Sequence, residues 1–403
     1  MPTHVRPCCR EYYKLACPVT FNTHCAAANP SVAFRMGGTS SKAREQEEID
    51  QLLESALGGG KKPEWANEDS LRSPKALAGS LKAAGVESSN LICAIDFTAS
   101  NKTAGADTFG GLSLHTLDHP GGNPYESALS IIGKTLSSFD DDNLIPAFGF
   151  GDQTSKSFGT RPLGEAPCRG FEGVLSEYRK ALQRGIVLSG PTSFAPVIRK
   201  AIDLVKASGN ELHVLLIIAD GQVSEALDCK RETINAIVEA SRVPLSIVIV
   251  GVGDGPFDQM AAFDDQLPER RFDNLQFVDF QPFQAALAAE PSKEKQTAIE
   301  AAFALCALQE LPSQFKEIVH LGLLGDGRQR GGCGQPRLHA AAAAAVRAAA
   351  APVSAAGRQA GAGGQEGARA RAQLAAARLA AAARAATAAA ADYEPAAQRQ
   401  RVM

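Results

Sequence analysis

The chain has 403 residues, a formal net charge of -3 and 45% hydrophobic residues. That length suits one large domain with flanking segments, or two domains, and the near-neutral, slightly acidic balance argues against a nucleic-acid binder. No apolar run resembles a membrane span, and nine cysteines in so long a chain do not make a disulfide framework.

Residues 1–35 are rich in Cys, Tyr and His and hold one acidic residue, Glu11. Cys8, Cys9, Cys17 and Cys25 with His4 and His24 match no paired Cys-x-x-Cys zinc spacing. A disordered extension, an acid-poor transit segment and a misplaced start codon are the readings that remain, and the last is preferred. The reason is Met36-Gly37-Gly38-Thr39-Ser40-Ser41, an N-myristoylation pattern that works on Gly37 only if translation begins at Met36. One acyl chain would give marginal, reversible membrane binding. Residues 36–67 are expected to form a linker with a helix over 45–57.

A further helix is predicted over 71–85, and then the pattern alternates. Strand-like runs at 91–97, 143–150, 212–219 and 244–252 are separated by helical periods at 124–137, 171–184, 194–207 and 229–242. A short strand at 275–280 precedes a helix at 292–310. Strands apolar on both faces and spaced by helices imply a doubly wound α/β domain, a mostly parallel sheet with helices on both faces. Its expected span is 68–322. Cys93, Cys168, Cys229 and Cys306 stand alone in ordinary segments, as reduced thiols do in the cytoplasm or nucleus.

From about 323 Gly, Arg and Ala dominate. A helix over 368–391 would have no apolar face to bury. A low-complexity tail and GC-rich DNA read in a wrong frame both fit this composition.

Open α/β sheets bind ligands at the carboxyl ends of their strands, near the switch point. The first strand ends Asp96-Phe97-Thr98-Ala99-Ser100, where alternate positions bring one carboxylate and two hydroxyls together. The loop Ser189–Phe194 opens a later helix and places Thr192 near its first turn, and the central strand ends in Asp220-Gly221-Gln222. Two carboxylates and three hydroxyls suit a hard cation, Mg²⁺ with Mn²⁺ or Ca²⁺ as alternatives, and leave a coordination position for a partner's Asp or Glu. Each element alone also reads as an Asx turn, a helix cap or a plain turn. Their occurrence in order, each at a strand end or helix start, favours the metal.

These residues, with Asn123-Pro124-Tyr125, Phe148-Gly149-Phe150-Gly151-Asp152, Gly190-Pro191-Thr192-Ser193-Phe194 and Gly251-Val252-Gly253-Asp254-Gly255, closely resemble the copine-type von Willebrand factor A domain. That subgroup occurs in copines and in plant RING-domain ubiquitin ligases. The resemblance implies metal roles for Asp96, Thr98, Ser100, Thr192 and Asp220, and none for Asp152. It also implies a protein partner that offers an acidic residue to the metal, and a link to the ubiquitination machinery. Copines carry two lipid-binding β-sandwiches ahead of this domain, and the residues before 91 are too few for one with its linker. The ligase branch, with its short Met-Gly start, is the nearer match. After residue 322 the sequence offers only Cys333 and His339 as zinc ligands, too few for a RING, so no catalytic site is expected in this chain. A RING lost from the sequence and a copine-like membrane-trafficking adaptor are the alternatives. The expected location is cytoplasmic, with the nucleus and the peripheral plasma membrane as alternatives.

Other features carry less. Gly251-x-Gly253-x-Gly255 follows a late strand and runs into Pro256, unlike a dinucleotide fingerprint. His115 and His119 sit in a Gly/Asp/Pro loop without a nucleophile, and His213 belongs to a strand core or its start. Asp140–Asp142 read as a solvated turn, and Phe257, Phe263 and Phe272 as core or rim packing.

Overall fold

The computed structural model describes residues 41–325, apart from 57–61, 67, 87–88, 141, 156–158, 226–227, 266 and 268. The N-terminal extension, Gly37 and the tail with Cys333 and His339 lie outside the described residues. In chain order the elements are α1 Ser41–Ala56, α2 Pro74–Ala83, β1 Asn90–Asp96, α3 Pro124–Leu136, β2 Leu144–Ile145, β3 Ala147–Phe150, β4 Arg161–Pro162 and β5 Cys168–Arg169. Then come α4 Gly170–Gln183, α5 Ala195–Ala207, β6 His213–Ala219, α6 Cys229–Ala240, β7 Leu245–Gly251, α7 Asp258–Asp265, β8 Leu275–Asp279, α8 Gln281–Ala289, α9 Lys293–Leu308 and α10 Leu311–His320.

Six strands form one sheet in the order β4-β3-β1-β6-β7-β8. All neighbours are parallel except β4, which runs antiparallel to β3. After β1 the chain moves to β3 on one side, then crosses back to β6 on the other. The switch point therefore lies between β1 and β6. Every residue of β1, β6 and β7 is buried, as a sheet covered on both faces requires.

Alternation along the strands divides the core in two. Leu91, Cys93 and Ile95 share one apolar cluster with Leu77, Leu81, Leu129, Tyr178 and Phe303 from α2, α3, α4 and α9. Ile92 and Ala94 face the other cluster, with Ile198, Ile202 and Ile237 from α5 and α6. Ile49 and Leu53 of α1 join the first cluster although they precede residue 68. Burying each such side chain stabilises the fold by about 1.5–3 kcal/mol.

The run expected as one strand over 143–150 breaks into β2 and β3 at Pro146, which has no N–H to give the ladder. Its carbonyl still accepts the N–H of Cys93 at 2.9 Å, so the break does not interrupt the approach to β1. Short elements that the pattern did not suggest are β4, β5, α7, α8 and α10. The expected solvated turn at Asp140–Asp142 is corrected in part. Asp140 bridges Ser89, both Asp140 and Asp142 are half-buried, and Asp142 accepts the N–H of Leu144 at 2.9 Å.

The sheet's two edges differ in how they end. At β8, the N–H of Phe277 donates to Asp264 Oδ2 at 2.9 Å, and Gln276 Nε2 donates to the Phe277 carbonyl at 2.9 Å. At the other edge β4 is two residues long and one of them is Pro162. Cys93, Cys168, Cys229 and Cys306 are buried free thiols, and burial pushes the Cys168 and Cys306 thiols up to about 12. No helix among the described residues is long and apolar enough to cross a membrane.

Candidate metal centre

Asp96 is the last residue of β1, and Asp220 follows the last residue of β6. The two carboxylates thus terminate the two strands that flank the switch point. Both side chains are buried, at 0% and 1% exposure.

The chain turns sharply after Asp96. Its Oδ1 accepts the N–H of Thr98 at 2.7 Å, which is an Asx turn, and a short 3-10 helix follows at Ala99–Lys102. Thr98 sits at the cap of that helix without using its hydroxyl as a cap. The hydroxyl instead meets Ser100 Oγ at 2.9 Å, and Ser100 Oγ donates to Asp220 Oδ1 at 3.0 Å. Since the Ser100 proton goes to Asp220, Thr98 is the donor to Ser100. Four of the five expected oxygen ligands therefore form one hydrogen-bonded run.

Thr192 reaches the same rim through its backbone. Ser189 bridges Thr98, and the N–H of Ala99 donates to the Ser189 carbonyl at 2.5 Å. Thr192 then exchanges two hydrogen bonds with Ser224 in the loop after Asp220, N–H to Ser224 Oγ at 3.0 Å and carbonyl from Ser224 N–H at 3.0 Å. Its own hydroxyl bonds to no other described residue, which leaves it available as a ligand. Phe194, two residues on, is fixed by its N–H to Thr233 Oγ1 at 3.3 Å.

Asp96 Oδ2 and Asp220 Oδ2 are buried and accept no hydrogen bond. Burying an unpaired carboxylate is costly, and proteins pair such groups or give them a metal. Here burial, and then the charge of Asp220, push Asp96 well above the usual carboxylate range. Burial likewise raises Asp220 to about 6, against the Ser100 hydrogen bond that holds it down. Two orphaned carboxylate oxygens in one run with the Thr98 and Ser100 hydroxyls fit a hard divalent cation.

A layer of polar groups beneath the turn holds it in place. His115 is buried and packs its ring between Phe97 and Tyr125, with centroids 5.0 and 4.4 Å away. Its Nε2 lies 2.9 Å from the Asp96 carbonyl, which only accepts, so Nε2 carries the proton. Burial lowers its pKa to about 3, leaving Nδ1 unprotonated to accept from the Tyr178 hydroxyl at 2.8 Å. Tyr125 donates to Asn101 Oδ1 at 2.7 Å, and Asn101 Nδ2 donates to the Thr98 carbonyl at 3.3 Å. Asn123, which caps α3 in a capping box with Glu126, places Tyr125 two residues on. The sequence reading of His115, a histidine without a nucleophile, says nothing of this packing. Its ring supports the Asp96–Ser100 turn through partners that are distant in sequence.

Glycines fix the approach of the neighbouring loops. Gly151 has φ +77°, and a Cβ there would collide with Thr98 Cγ2. Gly253 has φ +83°, and a side chain there would strike the Ala104 carbonyl. Asp254, beside it, accepts from the N–H groups of Asp107 and Thr108 at 3.1 and 2.9 Å and from Thr108 Oγ1 at 2.6 Å. The Gly251–Gly255 segment therefore anchors the loop that follows the Asp96–Ser100 turn. Asp152 is turned away from ligation: it caps the Thr154 and Ser155 N–H groups at 3.1 Å each, and Arg161 Nη1 lies 3.6 Å away. His119 is exposed, and its ring lies 4.6 Å from that of Phe109. His213 opens β6, Phe263 and Phe272 are buried, and Phe257 is half-buried against Phe277.

One other acidic cluster occurs among the described residues. Asp264, Asp273 and Glu310 each bring one carboxylate oxygen within 4.8 Å of the others. Arg270 neutralises it in part, with Nη1 2.6 Å from Asp273.

Comparison with known proteins places these features in a family. The Copine family profile matches residues 113–326, slightly more than half of the chain. The chain is 50% identical over 268 residues to the Arabidopsis thaliana E3 ubiquitin-protein ligase RGLG5, covering 64% of this chain and 60% of that protein. It is 44% identical over 303 residues to RGLG4 of the same plant, covering 72% of this chain and 73% of that one. Three of these Arabidopsis relatives, RGLG5, RGLG2 and RGLG1, are matched over only 60%, 53% and 50% of their own length. Among solved structures, the SpRpn10 VWA domain aligns with a TM-score of 0.35 and 13% identity, over 52% of this chain and 93% of that one.

Proposed function

The chain belongs to the copine family, and from that premise we propose that its α/β domain is a protein-binding module that grips its partner through a divalent cation. The proposed module spans 68–322, with Ile49 and Leu53 packed onto it as a brace. Asp96, Thr98, Ser100, Thr192 and Asp220 would hold the ion, Mg²⁺ or Mn²⁺ before Ca²⁺. When bound, the ion supplies an electrophilic open position that an Asp or Glu of the partner fills.

The observation that carries this reading is the pair of buried carboxylate oxygens, Asp96 Oδ2 and Asp220 Oδ2, left without a donor at the switch point. Ser100 spends its proton on Asp220 and Thr98 spends its own on Ser100, so neither hydroxyl satisfies those two oxygens. Asp96 and Asp220 hold the ion's charge, and the hydroxyls orient without adding more negative charge. A partner carboxylate is therefore still attracted. Isothermal titration of EDTA-treated protein with Mg²⁺ and Mn²⁺ tests the site. Binding lost in Asp96→Ala, with the fold intact by circular dichroism, is the expected result. No heat of binding for either ion sinks it.

A second reading concerns the whole gene product. The relatives named as E3 ubiquitin-protein ligases, at 44–50% identity, favour a role for this module as the substrate-recruiting part of such a ligase. Sequencing the full-length transcript, then assaying ubiquitin transfer by its product, separates that role from a free-standing adaptor.

A further inference from the structure

We propose that the groove between residues 161–169 and α4 is a second docking subsite of the same interface, taking acidic side chains from an extended segment of the partner protein. This rests on the metal-dependent reading above.

The groove has a volume of about 810 Å³. Its charged lining is Arg161, Arg169, Lys180 and Arg184 against Glu165 and Glu177, an excess of two positive charges in a chain whose net charge is -3. Lys180 already pairs with Glu177 at 2.8 Å. The guanidinium groups of Arg169 and Arg184 form no ion pair with any described residue, and both residues are exposed. Arg161 has one long contact, 3.6 Å to Asp152, whose oxygens are already committed to Thr154 and Ser155. Lys180 and Arg184 at the end of α4 also offset that helix's dipole. That accounts for neither Arg161 nor Arg169.

The groove opens at the metal rim. Arg161 pairs with Gly149 on β3, and two residues on, Gly151 packs against Thr98. From the end of α4 the chain passes through Val187, 53% exposed, to Leu188, which bridges Asp152, and Ser189, which bridges Thr98. A segment with one carboxylate at the metal centre is thus led past Val187 into the groove.

Spacing selects the occupant. Arg169 and Arg184 flank the two ends of the 14-residue α4, so their Cα atoms lie roughly 20 Å apart. An extended peptide rises about 3.3 Å per residue, so about six residues bearing several carboxylates span that distance. A bilayer surface is flat and does not follow a concave groove.

The test uses the full chain, fluorescence anisotropy and labelled synthetic dodecapeptides. One peptide has an Asp at one end followed by alternating Glu and Ser, and a second has that single Asp in a Gly/Ser background. In Mg²⁺ the acid-rich peptide is expected to bind at least tenfold tighter. Arg169→Glu with Arg184→Glu erases that advantage while leaving the single-Asp peptide and the Mg²⁺ affinity unchanged, and the Gln pair erases it in part. Raising NaCl to 0.3 M shrinks it as well. An advantage that survives both double variants overturns the proposal, as does binding only to a phosphoserine peptide or phosphatidylserine vesicles. If the double variants weaken the acid-rich peptide but neither peptide responds to Mg²⁺, the metal reading fails and the groove stands. Mg²⁺-dependent binding indifferent to the Arg pair gives the reverse. No binding of either peptide sinks both.

Discussion

His115 donates its Nε2 proton to the backbone carbonyl of Asp96 at 2.9 Å, so the residue that ends the first strand hangs from a buried, neutral imidazole. A group behind a metal ligand that fixes its orientation typically contributes about 10–100-fold to metal affinity. His115→Phe keeps the stacking on Phe97 and Tyr125 but orphans the Asp96 carbonyl and leaves the Tyr178 hydroxyl only its longer bond to Asn123 Oδ1 at 3.4 Å. It is expected to cost about 1–3 kcal/mol of stability and to weaken Mg²⁺ binding at least tenfold. His115→Gln, which restores a donor, recovers part of the affinity. Calorimetric titration of both variants checks this, and equal affinities for Phe and Gln would refute it.

Asp220→Asn is expected to raise the melting temperature of the metal-free protein. The substitution removes a buried charge that disfavours ionised Asp96, a relief of about 1 kcal/mol or roughly 2–4 °C. The same variant loses the Mg²⁺-induced rise seen in the parent. Differential scanning calorimetry with EDTA and with 5 mM Mg²⁺ reads both effects.

Stabilisation by Mg²⁺ should depend on pH with a definite sign. Asp220 has its folded value raised to about 6, so in the metal-free protein its proton stabilises the fold fully below about 4. That contribution is lost as pH rises through 6, where a cation takes over from the proton. The Mg²⁺-induced shift in melting temperature is therefore largest above pH 6.5 and falls away towards pH 4.5. His115, lowered to about 3, loses its share of stability as pH falls from about 6.5 towards that value. It does so with or without the ion, so the difference between the two melting curves removes it. A shift that stays constant from pH 5 to 8 contradicts the assignment.

Gly151→Ala adds a methyl group that strikes Thr98 Cγ2 and forces a side chain into a left-handed backbone. A destabilisation of about 1–2 kcal/mol is expected, with weaker Mg²⁺ binding because Thr98 must move. Gly185→Ala, also at positive φ but with open space around it, serves as the control. It should lower stability and leave the ion's affinity unchanged.

The sheet was legible because β1, β6 and β7 are unbroken apolar runs, and the two carboxylates because each stands where such a run stops. Pattern reading failed where other physics decided. Pro146 splits a run whose hydrophobicity is continuous, and β4 and β5 are too short to have a period. His115 looked idle because its partners, the Asp96 carbonyl and a tyrosine 63 residues away, leave no trace in local spacing. Gly151 stood inside a recognisable motif, yet its purpose depends on how closely a neighbouring strand approaches.

The way the sheet ends at its two sides restricts how this molecule associates. Along β8, backbone groups that a newcomer would need are held by Asp264 and Gln276. Along β4, a proline in a two-residue strand offers almost nothing to pair with. Recruitment by strand addition, and self-stacking into fibres along those margins, are both disfavoured, which leaves side chains rather than open backbone to do the recognising.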